Sequence, residues 1–390
     1  MSGLLAALLL RRGGWQVDVF ERVESELSGR GAGIVAQPDL IDTLRELGID
    51  VCDLGVDVAQ RQILDASGAS AAQILCPQVL TAWERVYRAL RDAFASEHYH
   101  RGQVVRGFEQ SEDSVVIRLG DGADVEGDLL VGADGLRSTI RRQCLPDLAP
   151  LYASYVAWRA LIPEAAFAPA VHRDLFAFMT FCLPPGEQCL GYPVAGPDND
   201  LRPGRRRYNV VWYRPADEGG ELKELLTDAT GTLHAISIPP PLIRREPIAA
   251  MRAAAERLLA PQMRMVVRMI DEPILQPIYD LETPRMAFGR VAILGDAAFV
   301  ARPHVAAGVA KAADDAAALA AALATDDVPV ALRRFEAVRL PVGRRIIERA
   351  RHLGAYLQAT QTADERARSA RHSIPAAVLA ETAVLDFLRT

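Results

Sequence analysis

Two short motifs that combine glycine with aspartate each follow an apolar run predicted as a buried strand. In DLLVGADGLRSTIRR, the strand ends at Asp134 and Gly135. In RVAILGDAAFVARPHVAAGVAKAADDAAAL, a second strand ends at Gly295 and Asp296. A carboxylate at a strand end, next to a glycine turn, can bind a ribose hydroxyl or fix a loop against a nucleotide. Together the two motifs indicate a dinucleotide site.

The loop after the second motif supplies the candidate catalytic residues. Pro303 and His304 lie in this loop, and Gly308 begins a long Ala-rich helix. The positive N-terminal end of that helix would stabilise an anion bound above the loop. Because an imidazole titrates near neutral pH, His304 is the leading candidate for acid–base chemistry. The alternative is that His304 only fixes the loop by hydrogen bonding.

The opening MSGLLAALLLRRGGWQVDVFER predicts a helix over 2–12, a glycine turn, and a strand over 17–22. This order is typical of the second half of a dinucleotide-binding βαβ unit. Ser2 and Gly3 would offer helix N-terminal N–H groups to a pyrophosphate, and Glu21 would bind a ribose. The alternative is an ordinary helix and strand of another α/β protein. No first strand precedes the helix in this sequence, so we expect a slot in the sheet and a lower stability than that of a chain extended by about ten residues.

The remaining pattern is α/β at both ends around a β-rich, aromatic middle. We therefore predict an α/β fold in which a Rossmann-like nucleotide-binding domain, with its first strand missing, carries an inserted β-rich substrate domain and C-terminal helices. The predicted boundaries are 1–59, 81–150 and 285–345 for the first domain, 60–80 and 151–284 for the second, and 346–390 for the helices.

Composition excludes several classes of protein. The 390 residues are half apolar and carry a net charge of −6, which argues against nucleic-acid and polybasic membrane partners. Five scattered cysteines without a CxxC pair favour a reducing, cytoplasmic location. Cys182 and Cys189 flank a predicted turn and are expected to face each other as reduced thiols. His98 and His100 have metal-like spacing but lack a third ligand, so we predict no metal site.

In their order and spacing, these motifs resemble the flavoprotein aromatic hydroxylases, the class with the p-hydroxybenzoate hydroxylase fold. The resemblance runs from residue 2 to about residue 351. The segments GRGAGIVAQPDL, YVAWRALIP and GDAAFVARPHVAAGVAKAADDA are most similar to its dihydroxypyridine-hydroxylating members. The resemblance implies FAD contacts from Ser2, Gly3, Glu21, Arg22, Gly33, Asp134, Gly135, Gly295, Asp296, Gly308, Val309 and Ala310.

The same resemblance implies an activity. FAD would be reduced by NADH or NADPH and would react with O2 to a flavin C4a-hydroperoxide, which hydroxylates a small electron-rich aromatic or hydroxypyridine-type ring. It also implies a homodimer. Two alternatives stay open: an epoxidase or polyketide hydroxylase on the same scaffold, and an N-terminally truncated homologue that binds an aromatic ligand without flavin turnover.

Aromatic residues of the β-rich middle are the candidate substrate contacts, because alternate positions of its strands should face the pocket. Core packing is the alternative for each of them. Arg159 could pair with an anionic substrate or form a structural ion pair. Trp83 and Ala310 stand where many family members have Arg and Asn. The candidates are Trp158, Phe176, Phe178, Tyr192 and Trp212.

Overall fold

The computed structural model describes residues 1–27 and 33–389. The glycine-rich part of GRGAGIVAQPDL, at 28–32, lies outside the described residues. The strands are β1 (Val19–Glu21), β2 (Gly33–Ala36), β3 (Val56–Leu64), β4 (Ser70–Ala82), β5 (Tyr99–Arg101), β6 (Val105–Gln110), β7 (Val115–Leu119), β8 (Asp124–Gly127), β9 (Leu130–Gly132), β10 (Leu151–Pro163), β11 (Phe178–Cys182), β12 (Gln188–Val194), β13 (Arg207–Pro215), β14 (Ile274–Glu282), β15 (Ala287–Phe288), β16 (Val291–Ile293) and β17 (Phe299–Val300). The helices are α1 (Ser2–Arg12), α2 (Pro38–Glu46), α3 (Trp83–Ala93), α4 (Thr139–Cys144), α5 (Pro169–Leu175), α6 (Glu221–Leu226), α7 (Arg245–Leu258), α8 (Pro261–Arg268), α9 (Gly308–Leu323), α10 (Val328–Gly354), α11 (Ala363–His372) and α12 (Pro375–Glu381).

A nine-stranded sheet forms the β-rich part of the molecule, in the order β17-β14-β10-β13-β12-β11-β3-β4-β2. Successive side chains of a strand point to opposite faces, so the sheet separates two cores. One core lies under α5 to α8 and includes Met251 of α7 and Met263 of α8. The other core includes Val378 and Leu379 of α12, so the C-terminal helices cover the second face.

Shorter strands and several helices, among them α1 and α9, form the other part of the molecule. β1 pairs in parallel with β5, and β15, β16 and β9 form a separate sheet. α1 packs against α9, and both helices bury small or leucine side chains in one core, among them Leu5 and Ala313. Alanines let the two helices approach closely, which brings their loops to the same region.

The predicted α/β class, with a β-rich middle and a helical C-terminal part, is confirmed. The nine-stranded sheet also takes in residues 33–36 and 56–59, which the predicted boundaries assign to the nucleotide-binding domain. Within the described residues, the helices are all too short or too polar to cross a membrane.

Candidate functional site

Three of the predicted motifs meet at the N-terminal end of α1. Gly295 adopts a left-handed backbone, with φ +61°, and a Cβ at this position would lie 2.0 Å from Ser2 Oγ. On the other side of the helix start, a Cβ on Gly3 would lie 3.4 Å from Ala133 Cβ. The Gly295 turn and the strand end before Asp134 therefore flank the first turn of α1. The amide N–H groups of a first helical turn lack intrahelical acceptors, so this junction suits a pyrophosphate.

Asp134 lies on the exposed side of this junction, beside the left-handed Gly135. Its Oδ2 accepts hydrogen bonds from the backbone N–H groups of Thr139 (2.6 Å) and Ile140 (3.3 Å) at the start of α4. Both of these bonds fall on Oδ2, and Oδ1 accepts none from the described residues. One carboxylate oxygen thus fixes the loop, and the other remains for a ligand hydroxyl.

Glu21 ends β1 and faces the same cavity as Gly3 and Asp134. Its Oε1 accepts a hydrogen bond from Val23 N at 2.9 Å, which fixes the carboxylate at the strand end. Arg22 is exposed at the edge of this cavity. The geometry matches a ribose-binding acid at the end of the second strand of a βαβ unit.

The cavity has a volume of about 700 Å³ and lies between β1 and β9. Among the described strands, β1 bonds only to β5 and β9 bonds only to β16, so their facing edges have no ladder partner. Val19, Val131 and Ala7 are among its apolar lining. The enclosing protein lowers the pKa of the Met1 amino group, which also lines the cavity. This is the slot that the sequence predicts.

An added strand should fill this slot. A segment of about ten residues, with an apolar strand and a short Gly turn, fused ahead of Met1, should raise the melting temperature by about 3–5 °C. Each apolar side chain that the strand buries contributes about 1.5–3 kcal/mol, which offsets a backbone ordering cost of about 1–2 kcal/mol per residue and leaves a small net gain. Calorimetry of both proteins measures the difference. A fused segment of equal length with alternating prolines is the control, because proline cannot donate to the ladder. Equal melting temperatures for all three proteins would contradict the expectation.

A buried charge network holds the Gly295 turn from behind. Asp315 of α9 accepts hydrogen bonds from Gly295 N (3.1 Å) and Lys311 Nζ (3.3 Å) on Oδ2. Its Oδ1 accepts from Arg339 Nε at 2.8 Å. The Arg339 guanidinium also lies 3.6 Å from Asp314. Asp315 therefore pairs with both cations at hydrogen-bond distance, and this pairing keeps the charges stable in the interior, while Asp314 lies farther from Arg339.

Arg141 ties the two glycine-containing loops together and was not among the sequence candidates. Its buried guanidinium donates to Ala297 O (3.0 Å), next to the Gly295 turn, and to Leu136 O (2.6 Å), next to Gly135. An arginine in a polar helix such as that of RSTIRR is usually exposed, so the sequence pattern did not predict that Arg141 is buried between the two loops. Asp315 and Arg339 were missed for the same reason.

The start of α9 presents backbone rather than side-chain groups. Gly308 is exposed, Val309 is half-buried, and Ala310 is buried against Val305 and Ile346. Ala310 can therefore offer only its backbone to a ligand. This was expected, because an alanine stands here where many family members have asparagine. Asp296, in the turn after Gly295, has an exposed side chain.

His304 is enclosed by aromatic rings in the loop between Pro303 and α9. Its Nε2 shares a hydrogen bond of 2.9 Å with the Tyr155 hydroxyl, and its ring centroid lies 4.4 Å from that of Tyr213. Burial, and then the nearby Arg302 charge, lower the pKa of His304 to about 3. Its buried Nδ1 has no hydrogen-bond partner in the described part of the chain. The imidazole is therefore neutral at pH 7, which favours hydrogen bonding over proton uptake as its role.

Strand alternation divides the aromatic substrate candidates between the two sheet faces. Tyr192 belongs to the core on the face of His304. Trp158 and Trp212 pack in the opposite core under α5 to α8. Phe178 also points to that opposite face, because its neighbour in the strand, Met179, belongs to the core on the His304 face. Phe176 also packs in the core under α5 to α8. Of the five candidates, only Tyr192 therefore lies on the His304 side, and it is the remaining candidate substrate contact. A shift of one residue in a strand moves every side chain to the other face, so composition alone could not choose the face.

Gly33 begins β2 directly against this face. A Cβ at Gly33 would lie 2.6 Å from Tyr192 Cε2, and its N–H donates to Asn209 Oδ1 at 3.1 Å. Asn209 Nδ2 and Arg159 Nε are buried, and in the described residues they have no acceptor. Arg159 Nη1 donates to Gln276 at 2.8 Å. The face thus presents unsatisfied donors around a tyrosine.

Two further sequence features have structural partners. Cys182 and Cys189 face each other in register across β11 and β12, as predicted, and both thiols are free and buried. His98 Nδ1 and His100 Nε2 both hydrogen-bond to one oxygen of Asp18, at 3.1 and 2.8 Å. Across the described residues, no group of three potential ligands is arranged to hold a metal ion.

Comparisons of the sequence with known proteins identify the family of this chain. A family model described as FAD binding domain-like matches residues 152–280. The chain is 33% identical over 365 residues to 2,6-dihydroxypyridine 3-monooxygenase of Paenarthrobacter nicotinovorans, which covers 92% of this chain and 89% of that protein. It is 30% identical over 370 residues to 3-amino-4-hydroxybenzoate 2-monooxygenase of Streptomyces cremeus, covering 90% and 84%.

Comparison with solved structures gives the same relationship. The structure of 2,6-dihydroxypyridine-3-hydroxylase from Arthrobacter nicotinovorans matches with a TM-score of 0.86 and 32% identity, covering 93% of this chain and 91% of that chain. A Klebsiella pneumoniae protein complexed with FAD and uric acid matches with a TM-score of 0.72 at 23% identity, covering 96% and 87%, which is a likeness of fold alone. Together with the convergence of the glycine motifs at α1, these relationships show that the chain belongs to the FAD-dependent aromatic monooxygenases.

Proposed function

We propose that this protein is an FAD-dependent, NAD(P)H-consuming monooxygenase that hydroxylates a small electron-rich aromatic or hydroxypyridine-type ring. The observation that carries the proposal is the cradle around Ser2 and Gly3, where Gly295 and Ala133 pack so closely that larger residues would fill the space. Bound FAD would accept a hydride from NADH or NADPH and activate O2. One oxygen atom would then be added to a ring carbon of the substrate as a hydroxyl group, and the other would leave as water.

The residues of the cradle have distinct roles in this proposal. The first turn of α1 binds the pyrophosphate through its N–H groups, and Glu21 and Asp134 bind hydroxyl groups of the cofactor. The N-terminal end of α9, at Gly308, stabilises negative charge on the flavin ring. The neutral His304 hydrogen-bonds to Tyr155 and, together with Tyr155 and Tyr213, would exclude water from the loop before α9.

The substrate class follows from the polar atoms on the His304 face. The buried donors Asn209 Nδ2 and Arg159 Nε have no partner among the described residues. A buried donor without a partner costs about 1–3 kcal/mol, so a ligand that carries acceptors would satisfy these groups. A small ring with hydroxyl, oxo or ring-nitrogen groups fits this requirement better than a large apolar substrate.

A spectrum of the purified protein tests the cofactor first. We expect a flavin absorption band that stays with the protein through desalting after FAD is added. NAD(P)H oxidation should then be stimulated by hydroxypyridines or phenols, with one hydroxylated product formed for each NAD(P)H consumed. Loss of all flavin on desalting, even from high FAD concentrations, would contradict the proposal and favour an aromatic-binding protein without flavin turnover.

The division between sheet faces gives a sharper test of the substrate site. Tyr192→Phe should raise the KM for the aromatic substrate about 2- to 10-fold, because a hydrogen bond contributes about 0.5–1.5 kcal/mol. Trp158→Phe, on the opposite face, should lower the melting temperature but leave KM unchanged. Steady-state kinetics with each variant measure the effect. Equal KM values for wild type and Tyr192→Phe, or a raised KM in Trp158→Phe, would remove Tyr192 from the site.

A further inference from the structure

The C-terminal segment reaches the loop that carries His304. After α12, Thr382 and Ala383 form a buried turn in which Ala383 has a left-handed backbone, with φ 56°. The Ala383 N–H donates to the backbone carbonyl of His304 at 2.7 Å. This hydrogen bond joins the end of the chain directly to the candidate catalytic loop.

Arg61 of β3 holds this turn from the sheet. Its side chain is fully buried, and its Nη1 donates to Leu379 O at 2.7 Å and to Thr382 O at 2.6 Å. Its Nη2 donates to Gln78 Oε1 at 2.6 Å. Among the described residues, no carboxylate forms an ion pair with this guanidinium. A buried cation is costly unless its hydrogen bonds are made, so Arg61 binds the turn through carbonyl oxygens alone.

Two glutamines complete the clamp on Ala383. Gln78 of β4 and Gln37, which precedes α2, donate from Nε2 to the Ala383 carbonyl at 2.9 and 3.1 Å. The amide and the carbonyl of Ala383 are therefore both used, one toward His304 and the other toward the sheet. Side chains from β3, from β4 and from the residue before α2 therefore hold one turn of the C-terminal segment.

We propose that Arg61 is a positioning residue: it fixes the Thr382–Ala383 turn, which holds the His304 carbonyl and keeps the imidazole enclosed between Tyr155 and Tyr213. The C-terminal segment thus belongs to the candidate active site, although it lies far from His304 in sequence. The relevance of this to oxygen transfer rests on the proposed function, but the positioning itself can be tested without turnover.

Arg61→Met tests the proposal, because it keeps an unbranched side chain up to the position of Nε and removes all of the guanidinium donors. We expect amide hydrogen exchange, followed by mass spectrometry, to become about tenfold faster in peptides covering 375–389. The second readout is an NMR titration of 15N-histidine-labelled protein, in which the His304 signal is assigned with His304→Asn. In Arg61→Met, this signal should titrate with a midpoint above about pH 5. Water would then reach an imidazole whose pKa burial had lowered.

A matched variant separates positioning from general destabilisation. Arg206 donates two hydrogen bonds to the buried Glu164, at 2.9 and 2.7 Å, and packs on Phe176 in the core of the opposite face. Arg206→Met should lower the melting temperature while leaving the exchange of 375–389 and the His304 signal unchanged. Arg61→Lys, which still donates to the two carbonyls, should restore most of the wild-type behaviour.

Each result decides the question. Faster exchange at 375–389 with an unchanged His304 signal would overturn the proposal, and so would the same His304 change in Arg206→Met. If Arg61→Met does not fold, Gln78→Leu removes one donor to Ala383 and should cause a smaller change in the same direction. No change in that variant would also overturn the proposal. An absence of hydroxylation in wild type would contradict the proposed function but would leave the exchange and titration results standing.

Discussion

Gly295→Ala should weaken FAD binding about 10- to 100-fold. The added Cβ would lie 2.0 Å from Ser2 Oγ, and the left-handed backbone at φ +61° is strained for alanine. Displacement of the turn by the contact with Ser2 should cost FAD binding about 1.4–3 kcal/mol, and each 1.4 kcal/mol is about tenfold in affinity. The turn must move away from the first turn of α1, which is the proposed pyrophosphate site. Titration of the flavin-free protein with FAD, followed by fluorescence, measures the change.

Gly122→Ala is the matched control for this prediction. Gly122 also has a left-handed backbone, with φ +89°, but a Cβ there would meet nothing within 4 Å. It lies between β7 and β8, in a turn outside the cradle. This variant should show a similar backbone strain and an unchanged FAD affinity. Similar affinities for Gly295→Ala and Gly122→Ala would show that the contact with Ser2 does not shape the cofactor site.

Asp315→Asn should lower the free energy of unfolding by about 3–5 kcal/mol. The change leaves Lys311 and Arg339 as buried cations without their nearest carboxylate, and it weakens the acceptor of the Gly295 N–H. Denaturant unfolding of the flavin-free protein measures the loss of stability. FAD affinity should fall as well, because the Gly295 turn loses its support.

The neighbouring Asp314 provides the control and a dependence on pH. Burial raises the pKa of Asp314 to about 6. Because this folded-state pKa lies above the unfolded value, the Asp314 contribution to stability falls as pH rises from about 4 to about 6. Asp314→Asn should therefore cause no loss of stability at pH 8.

A double variant tests the charge pairing of Asp315 directly. Asp315→Asn combined with Lys311→Met should recover part of the stability lost in Asp315→Asn, because it removes one of the two unpaired cations. A loss at Asp314 as large as that at Asp315 would contradict this description of the network.

Local motifs in the sequence were sufficient to predict the cofactor side of the molecule. A strand, a glycine turn and the start of a helix are adjacent in the chain, so residues such as Gly3, Asp134 and Gly295 carry their geometry with them. The order of these motifs predicted the α/β class and the family. The slot beside β1 was also predictable, because a βαβ unit requires a strand on each side of its helix.

The tertiary structure decided which side chains surround the candidate catalytic loop. The register of the nine-stranded sheet turned Tyr192 toward His304 and Trp158 away from it, and alternation alone cannot choose between two apolar faces. Asp315 and Arg141 look like ordinary helical charges in the sequence, and only packing brings them to the glycine turns. Arg61 meets Thr382 across more than three hundred residues of chain. Contacts between such distant residues depend on the packing of whole elements, so the sequence determined the cofactor motifs while the tertiary structure determined the support of His304.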